Sequence, residues 1–250
     1  MTRRGPILAA ATFLAGPACG TTPPPEDPPV CELPSAAARS SSIHDLQCGP
    51  TLDFTPINSY QGELAIVQDR EDAVVLLNGT CTGTLIAAVA GPVVVTAGHC
   101  VGLGDQAVVS FNFEDAPDGD PLITEGTVIE QSTEPDYALL RLAELPAVTP
   151  TLLGTQPGDR LAIIQHPRGR PKVVAEGSFL DSCNGLIYYT DLDTLAGSSG
   201  AGVLNRQGHL VGVHTDGDCA VDGSGANRGW TAAAIVEASA YLQSADLADR

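Results

Sequence analysis

Two hundred and fifty residues are enough for one large or two small hydrophobic cores. Thirty acidic residues against twelve basic ones leave a net charge of −18, which repels phosphate backbones and anionic lipid and excludes nucleic acid as a partner. Lys172 is the only lysine in the chain.

Residues 1–18 have a basic start at Arg3 and Arg4, an apolar run from Ile7 to Ala15 and then small residues, the layout of a secretory signal. The run is too short to span a bilayer by itself. Cys19 follows Gly16-Pro17-Ala18, as the lipidated cysteine follows a bacterial lipoprotein cleavage site, although the usual leucine three places earlier is missing. Lipid anchoring through Cys19 and plain secretion both stay open, and Cys19 is the one route to a membrane that the sequence offers. Residues 19–59 are expected to be a tether and a loose segment, because Thr21 to Val30 is Pro-rich and acidic and small polar residues follow. Export implies an oxidising compartment in which cysteines can pair. The seven are Cys19, Cys31, Cys48, Cys81, Cys100, Cys183 and Cys219, and six remain if Cys19 carries lipid or is cut away.

From about residue 60 the texture changes. Short β-branched runs recur, among them "DAVVLLN", "GTLIAAV", "PVVVTA", "QAVVSF", "YALLRL", "RLAIIQ" and "HLVGVHT", with Gly, Pro, Asn and Asp between them. That pattern predicts an all-β domain over 60–250, a sandwich or barrels of antiparallel sheet. Only Trp230 to Leu247 reads as helix, with Ile235, Ala238 and Leu242 on one face, and a C-terminal helix is expected over about 231–245.

Within this frame "TAGHC" places His99 at the end of an apolar run, "DYALLRL" places Asp136 at the head of another, and "GSSGAGV" places Ser199 in a glycine-flanked turn. A serine hydroxyl is a poor nucleophile near neutral pH and needs a base. An imidazole with an unperturbed pKa near ~6.5 suits that task, and a carboxylate can hold it in one tautomer. The rivals are weaker. Glu130 and Glu134 lack the apolar strand that follows Asp136, the G-x-S-G frame selects Ser199 over Ser198, and His166 stands before Pro167 in a loop.

With the order His99, Asp136, Ser199, the chain resembles the trypsin-like serine peptidases of the chymotrypsin superfamily, nearest the bacterial branch that includes the glutamyl endopeptidases. The resemblance rests on "CTGTLI", "TAGHC", "DYALLRL", "HPRGRPK", "DTLAGSSGAGVLN" and "HLVGVHTDG" in order over residues 81–217, and does not cover 1–60. It implies two antiparallel β-barrels, about 60–148 and about 155–229, with His99 and Asp136 on the first and Ser199 on the second. It implies an oxyanion hole from the backbone N–H groups of Gly197 and Ser199. It also implies disulfides Cys81–Cys100 and Cys183–Cys219, which leaves Cys31 with Cys48. A peptidase of this kind needs no cofactor and no metal, takes a protein or peptide substrate, and is expected to be a monomer outside the cytoplasm.

Two departures from the family bear on activity. Trypsin-type zymogens carry an aspartate just before the serine that pairs with a cleavage-generated N-terminus, and Ser198 stands there. Asp193 occupies the place of the trypsin pocket aspartate, which would favour Arg or Lys before the scissile bond, whereas Thr194 and His214 match the positions by which glutamyl endopeptidases hold a glutamate. An acidic preference is placed ahead of a basic one, on the condition that Asp193 points away from the pocket. A catalytically silent binding module on the same fold, or an esterase, are the other readings. The loop Asn112 to Pro121, with Asp115, Asp118 and Asp120, fits no complete calcium loop and is read as solvated. Asn78-Gly79-Thr80 matches a glycosylation sequon by pattern alone.

Overall fold

The computed structural model describes residues 47–249, which belong to one compact unit. A short strand β1 (Thr55–Pro56) leads into a turn of helix α1 (Val67–Arg70) and then into β2 (Val74–Leu77), β3 (Cys81–Ile86), β4 (Val93–Thr96), β5 (Gln106–Phe111), β6 (Leu122–Thr133) and β7 (Asp136–Leu142). These last six close an antiparallel barrel in the order β2-β3-β4-β7-β6-β5. The sequence reason is plain in β2 and β4. "VVLL" and "VVVT" are buried at every position, and β-branched side chains pack well on a pleated surface.

The second barrel is built from β8 (Arg160–Gln165), β9 (Val173–Cys183), β10 (Leu186–Thr190), β11 (Gly202–Leu204), β12 (Leu210–Asp216) and β13 (Asn227–Thr231). It runs β9-β10-β13-β12-β11-β8 and closes by β8 pairing back to β9, with β1 added on β9. The expected two-barrel, all-β architecture is present.

Each barrel has its own core. Val75, Leu77, Leu85, Val94 and Leu140 fill the first, and Leu161, Ile163, Ile187, Tyr189 and Val203 the second. A third cluster draws on both, with Ile86, Val95 and Leu139 meeting Ile164, Leu210 and Val213. Burying one such side chain contributes about 1.5–3 kcal/mol, so this shared cluster holds the barrels as one body.

Three expectations need correction. Residues 47–59 are not a loose segment. Cys48 and Ile57 are buried, and β1 pairs with Val173 and Val174 of β9. The terminal helix α2 (Ala232–Ala238) is shorter than expected. Thr231 caps its start by accepting from the Ala234 N–H. At its end the Ser239 hydroxyl accepts from Tyr241 and Leu242, and the Glu130 carboxylate accepts from Ala240 and Tyr241, so these N–H groups are taken out of the helical ladder.

The third correction concerns the disulfides. Cys81–Cys100 forms as the resemblance implies. Cys219, however, bonds to Cys48, which removes both Cys183–Cys219 and Cys31–Cys48. Strand β13 explains why. Leu186 pairs with Trp230 at one end of it and Tyr189 with Asn227 at the other, and the Asn227 side chain accepts from the Cys219 N–H. Cys183, just before Leu186, therefore lies at the opposite end of β13 from Cys219. Cys183 is disulfide-bonded all the same, and Cys19 and Cys31 lie outside the described residues. These bonds point to an extracytoplasmic, oxidising setting. Among the described residues no helix is long and apolar enough to cross a membrane.

Candidate active site

His99 sits in a single turn of 3₁₀ helix, Gly98–Cys100, between the end of β4 and the Cys81–Cys100 clip. Asp136 opens β7, which pairs with β4 through Thr96 and Ala138. Neighbouring strands of one barrel thus deliver both groups to one edge. The Asp136 carboxylate holds the histidine twice: Oδ1 accepts from the His99 backbone N–H at 3.0 Å, and Oδ2 meets Nδ1 at 2.7 Å. That double grip fixes both the main chain and the ring of His99. It also raises the imidazole pKa above its usual value, with burial opposing and the charges of Asp136 and Asp216 adding to the rise.

Gly98 makes this approach possible. A Cβ there would lie 2.1 Å from the Ser132 carbonyl oxygen and 2.9 Å from Asp136 Oδ1, so any side chain would push the histidine turn off the carboxylate.

The serine turn follows β10 and precedes β11. It is pinned to the first barrel by its backbone: the Ser199 carbonyl accepts from the Thr82 N–H at 2.9 Å, and the Gly197 carbonyl accepts from the Thr82 hydroxyl at 2.8 Å. Gly200, at φ +88, packs so closely that a Cβ would meet Thr96 Oγ1 at 2.1 Å and the Ala97 N at 2.9 Å. The turn that carries Ser199 therefore abuts the end of β4, next to the turn that carries His99. Ser199 is partly exposed, whereas Ser198 is buried with its hydroxyl accepting from the Leu195 N–H. The Ala196 carbonyl accepts from the Arg168 N–H. In a trans peptide the C=O and the following N–H point opposite ways, so the Gly197 N–H faces away from Arg168. Gly197 itself is at φ +98.

The pocket residues fall differently from what their places in the chain suggest. Asp193 is 1% exposed, and its two oxygens accept from the backbone N–H groups of Cys48 (2.7 Å) and Asp53 (2.5 Å). It is not free to pair with a substrate Arg or Lys, and its expected role in substrate binding is corrected on that ground. Burial raises its pKa, against the pull of the two N–H bonds. Thr194 is buried, its hydroxyl accepting from Asn227 Nδ2 at 3.1 Å. His214 is buried and its Nδ1 meets the Tyr189 hydroxyl. Burial pushes the His214 imidazole down to about 4, so it is neutral near pH 7.

Tyr189 and Asn227 are not singled out by the sequence. Asn227 is the hub of this corner, donating to the Leu192 carbonyl, Thr194 and Cys48 Sγ and accepting from Asp218 and Cys219. No motif marks it, because each of its partners is distant in the chain or is a backbone group. His166 is buried with Nδ1 against the Arg170 carbonyl, a structural role. Of the acidic loop, Asp118 is brought near Glu71 and Asp72, with ligand oxygens within 4.8 Å of one another, but Glu71 is already held by the buried Lys172 ammonium.

A family model described as a trypsin-like peptidase domain matches residues 81–213. No curated protein sequence matches the chain. Several solved structures share the fold. The serine endoprotease from Yersinia pestis superposes with a TM-score of 0.55 at 16% identity, covering 68% of this chain and 62% of that one. Deg5 gives 0.53 at 22% identity, covering 69% of this chain and 89% of that one. The MamO protease domain from Magnetospirillum magneticum gives 0.53 at 17% identity, covering 68% and 96%. The chain thus spans less than two thirds of the Yersinia enzyme, and none of these matches singles out the glutamyl endopeptidases.

Proposed function

Because the chain belongs to the trypsin-like peptidase family, we propose that it is a serine endopeptidase that cuts peptide bonds through His99, Asp136 and Ser199, with a preference for an acidic residue before the cut. The observation that carries this reading is the double hold of Asp136 on His99, at the edge against which the Ser199 turn is pinned.

With Nδ1 donating to Asp136, the His99 proton-accepting atom is Nε2. Ser199 Oγ attacks the scissile carbonyl carbon as its proton passes to Nε2. The carbonyl oxygen becomes an oxyanion, stabilised by the N–H groups of Gly197 and Ser199, a contribution of about a hundredfold or more in rate per donor. The C–N bond then breaks, imidazolium gives the proton to the leaving amine, and an acyl-enzyme remains. Water, deprotonated by His99, attacks that ester and releases the acid. Asp136 stays ionised throughout and stabilises the imidazolium.

The acidic preference is supported by the withdrawal of Asp193 into bonds with Cys48 and Asp53, which weighs against the competing basic reading. Thr194 and His214 are as buried as Asp193 and already bonded to Asn227 and Tyr189, and the preference supposes that the hydroxyl and the neutral imidazole still donate to a substrate carboxylate. The disulfides support an exported enzyme, and Cys19 would anchor it if lipidated. It would act as a monomer.

The test is fluorophosphonate labelling of the purified chain beside Ser199→Ala, followed by peptides with Glu or Arg before the cut. Labelling that Ser199→Ala abolishes, with faster cleavage after Glu, is the expected result. An unlabelled, folded, disulfide-intact chain would overturn the enzyme reading in favour of a binding module. Faster cleavage after Arg would overturn the specificity alone.

A further inference from the structure

Asp193 and Ser198 raise the same question from two sides. The aspartate that should select substrate is buried, and the position that should hold an activating aspartate is a serine. What Asp193 does hold is a piece of chain from far upstream. Its Oδ1 accepts from the Cys48 N–H and its Oδ2 from the Asp53 N–H, so one carboxylate ties both ends of the 48–53 loop. The same loop is fastened on its other side to the connection that follows β12. Cys48 is bonded to Cys219, and the Gly49 N–H donates to the Ala220 carbonyl at 3.0 Å. Asn227 joins the two fastenings, touching Cys48 Sγ, the Leu192 carbonyl and Thr194 with one end of its amide and the Cys219 N–H with the other.

The loop therefore contacts, all at once, the stretch leading into the serine turn (Leu192 to Thr194), the exit of β12 and the start of β13. In sequence the loop is separated from these by up to 179 residues. If the loop stayed packed but gave up these two bonds, Asp193 would be a buried carboxylate with no donor to it among the described residues, a state that costs several kcal/mol.

We propose that Asp193 is a positioning residue, which docks the upstream loop 48–53 so that the Cys48–Cys219 bond can lock it, and that this docked loop holds the serine turn and pocket walls in working geometry without a cleavage-generated N-terminus. The inference rests on Ser199 being the nucleophile. It makes maturation of this enzyme an oxidative folding event: the site is assembled once the Cys48–Cys219 bond has closed on the docked loop.

The experiment uses the full chain with Asp193→Ala, Asp193→Asn and the pair Cys48→Ser with Cys219→Ser, each beside the wild type and Ser199→Ala. Fluorophosphonate labelling rate is the central readout, because a small phosphonylating probe does not depend on a charged side chain before the scissile bond. It is taken well below each variant's melting temperature, with near-ultraviolet dichroism confirming native packing. The expected result is a labelling rate at least tenfold lower in Asp193→Ala and in the cysteine pair, with no further loss when they are combined, since both act through one loop. Asp193→Asn, which keeps one acceptor oxygen, falls between. Folded Asp193→Ala and cysteine-pair variants that label at the wild-type rate would overturn the proposal. Wild-type labelling with a loss confined to cleavage after Arg or Lys would overturn it in favour of a pocket aspartate. A wild type that does not label overturns the enzyme reading itself, and this inference with it.

Discussion

His99 and Asp136 reach each other across 37 residues and two paired strands of one barrel, whereas the pocket corner is tied together by partners as much as 179 residues apart. The first half of the cleft is thus a local construction. β4 and β7 need only close their register for the two side chains to meet. The second half depends on a segment that precedes both barrels, a disulfide and an asparagine hub. The difference teaches that a barrel edge can bring two side chains together by strand pairing alone, while a corner made of loops is tied by partners from far along the chain.

The largest expected effect attacks the local half. Asp136→Asn leaves the strands in place but presents an amide where the ring N–H needs an acceptor, and kcat should fall by about 10⁴-fold. The sign of its pH effect follows from the cause of the shift. Asp136 raises the His99 pKa, and the base must be neutral to work, so wild-type activity is lost as pH falls through that raised value. Residual activity of the variant should persist to lower pH, which a pH–rate profile reads.

The junction between the barrels comes next. Lys172, just before β9, gives its buried ammonium to Glu71 and to Glu114, both from the first barrel's side. Lys172→Met leaves Glu71 and Glu114 buried without their cation and should cost about 3–5 kcal/mol in denaturant unfolding. An unchanged midpoint would mean the barrels are held by their shared apolar cluster alone. Gly98→Ala should then cost about a hundredfold in kcat/KM with only a modest drop in melting temperature, because it displaces the histidine turn and spares the core.

The smallest effect sharpens the picture of that buried trio. One ammonium cannot neutralise two carboxylates. Glu114 is held low, and Glu71 is pushed from 4.5 up to about 7 by burial and by its neighbour Glu114. Folding therefore keeps a proton on Glu71 that the unfolded chain releases. The stability it contributes is full below pH 4.5 and is lost as pH rises to about 7. Glu71→Gln should flatten the change in unfolding free energy over that window.

These results also mark what the sequence can carry. The barrels are legible because "VVLL", "VVVT" and "RLAIIQ" are β-branched runs cut by turn residues, and His99 and Asp136 because each sits at the end of such a run. Ser199 is legible from the glycines that its turn requires. The pocket is not. The role of Asp193 depends on where Cys48 and Asp53 return in space, and the Cys48–Cys219 pairing depends on which end of β13 each cysteine meets. The helix end at Ser239 was hidden too, since it is set by Glu130 from a strand 110 residues earlier. Chain order preserves what neighbouring residues do for one another and loses what distant ones do.

The buried Lys172 has one more consequence. As the chain's sole lysine, with its side chain wholly inside, it leaves the folded surface without a single ε-amine. Acylating reagents, amine cross-linkers and lysine-directed tags have no side-chain target until the domain opens. The residue becomes reactive only on unfolding, so one mass shift per molecule beyond that of the N-terminal amine counts the opened fraction of a population, with no label introduced by design.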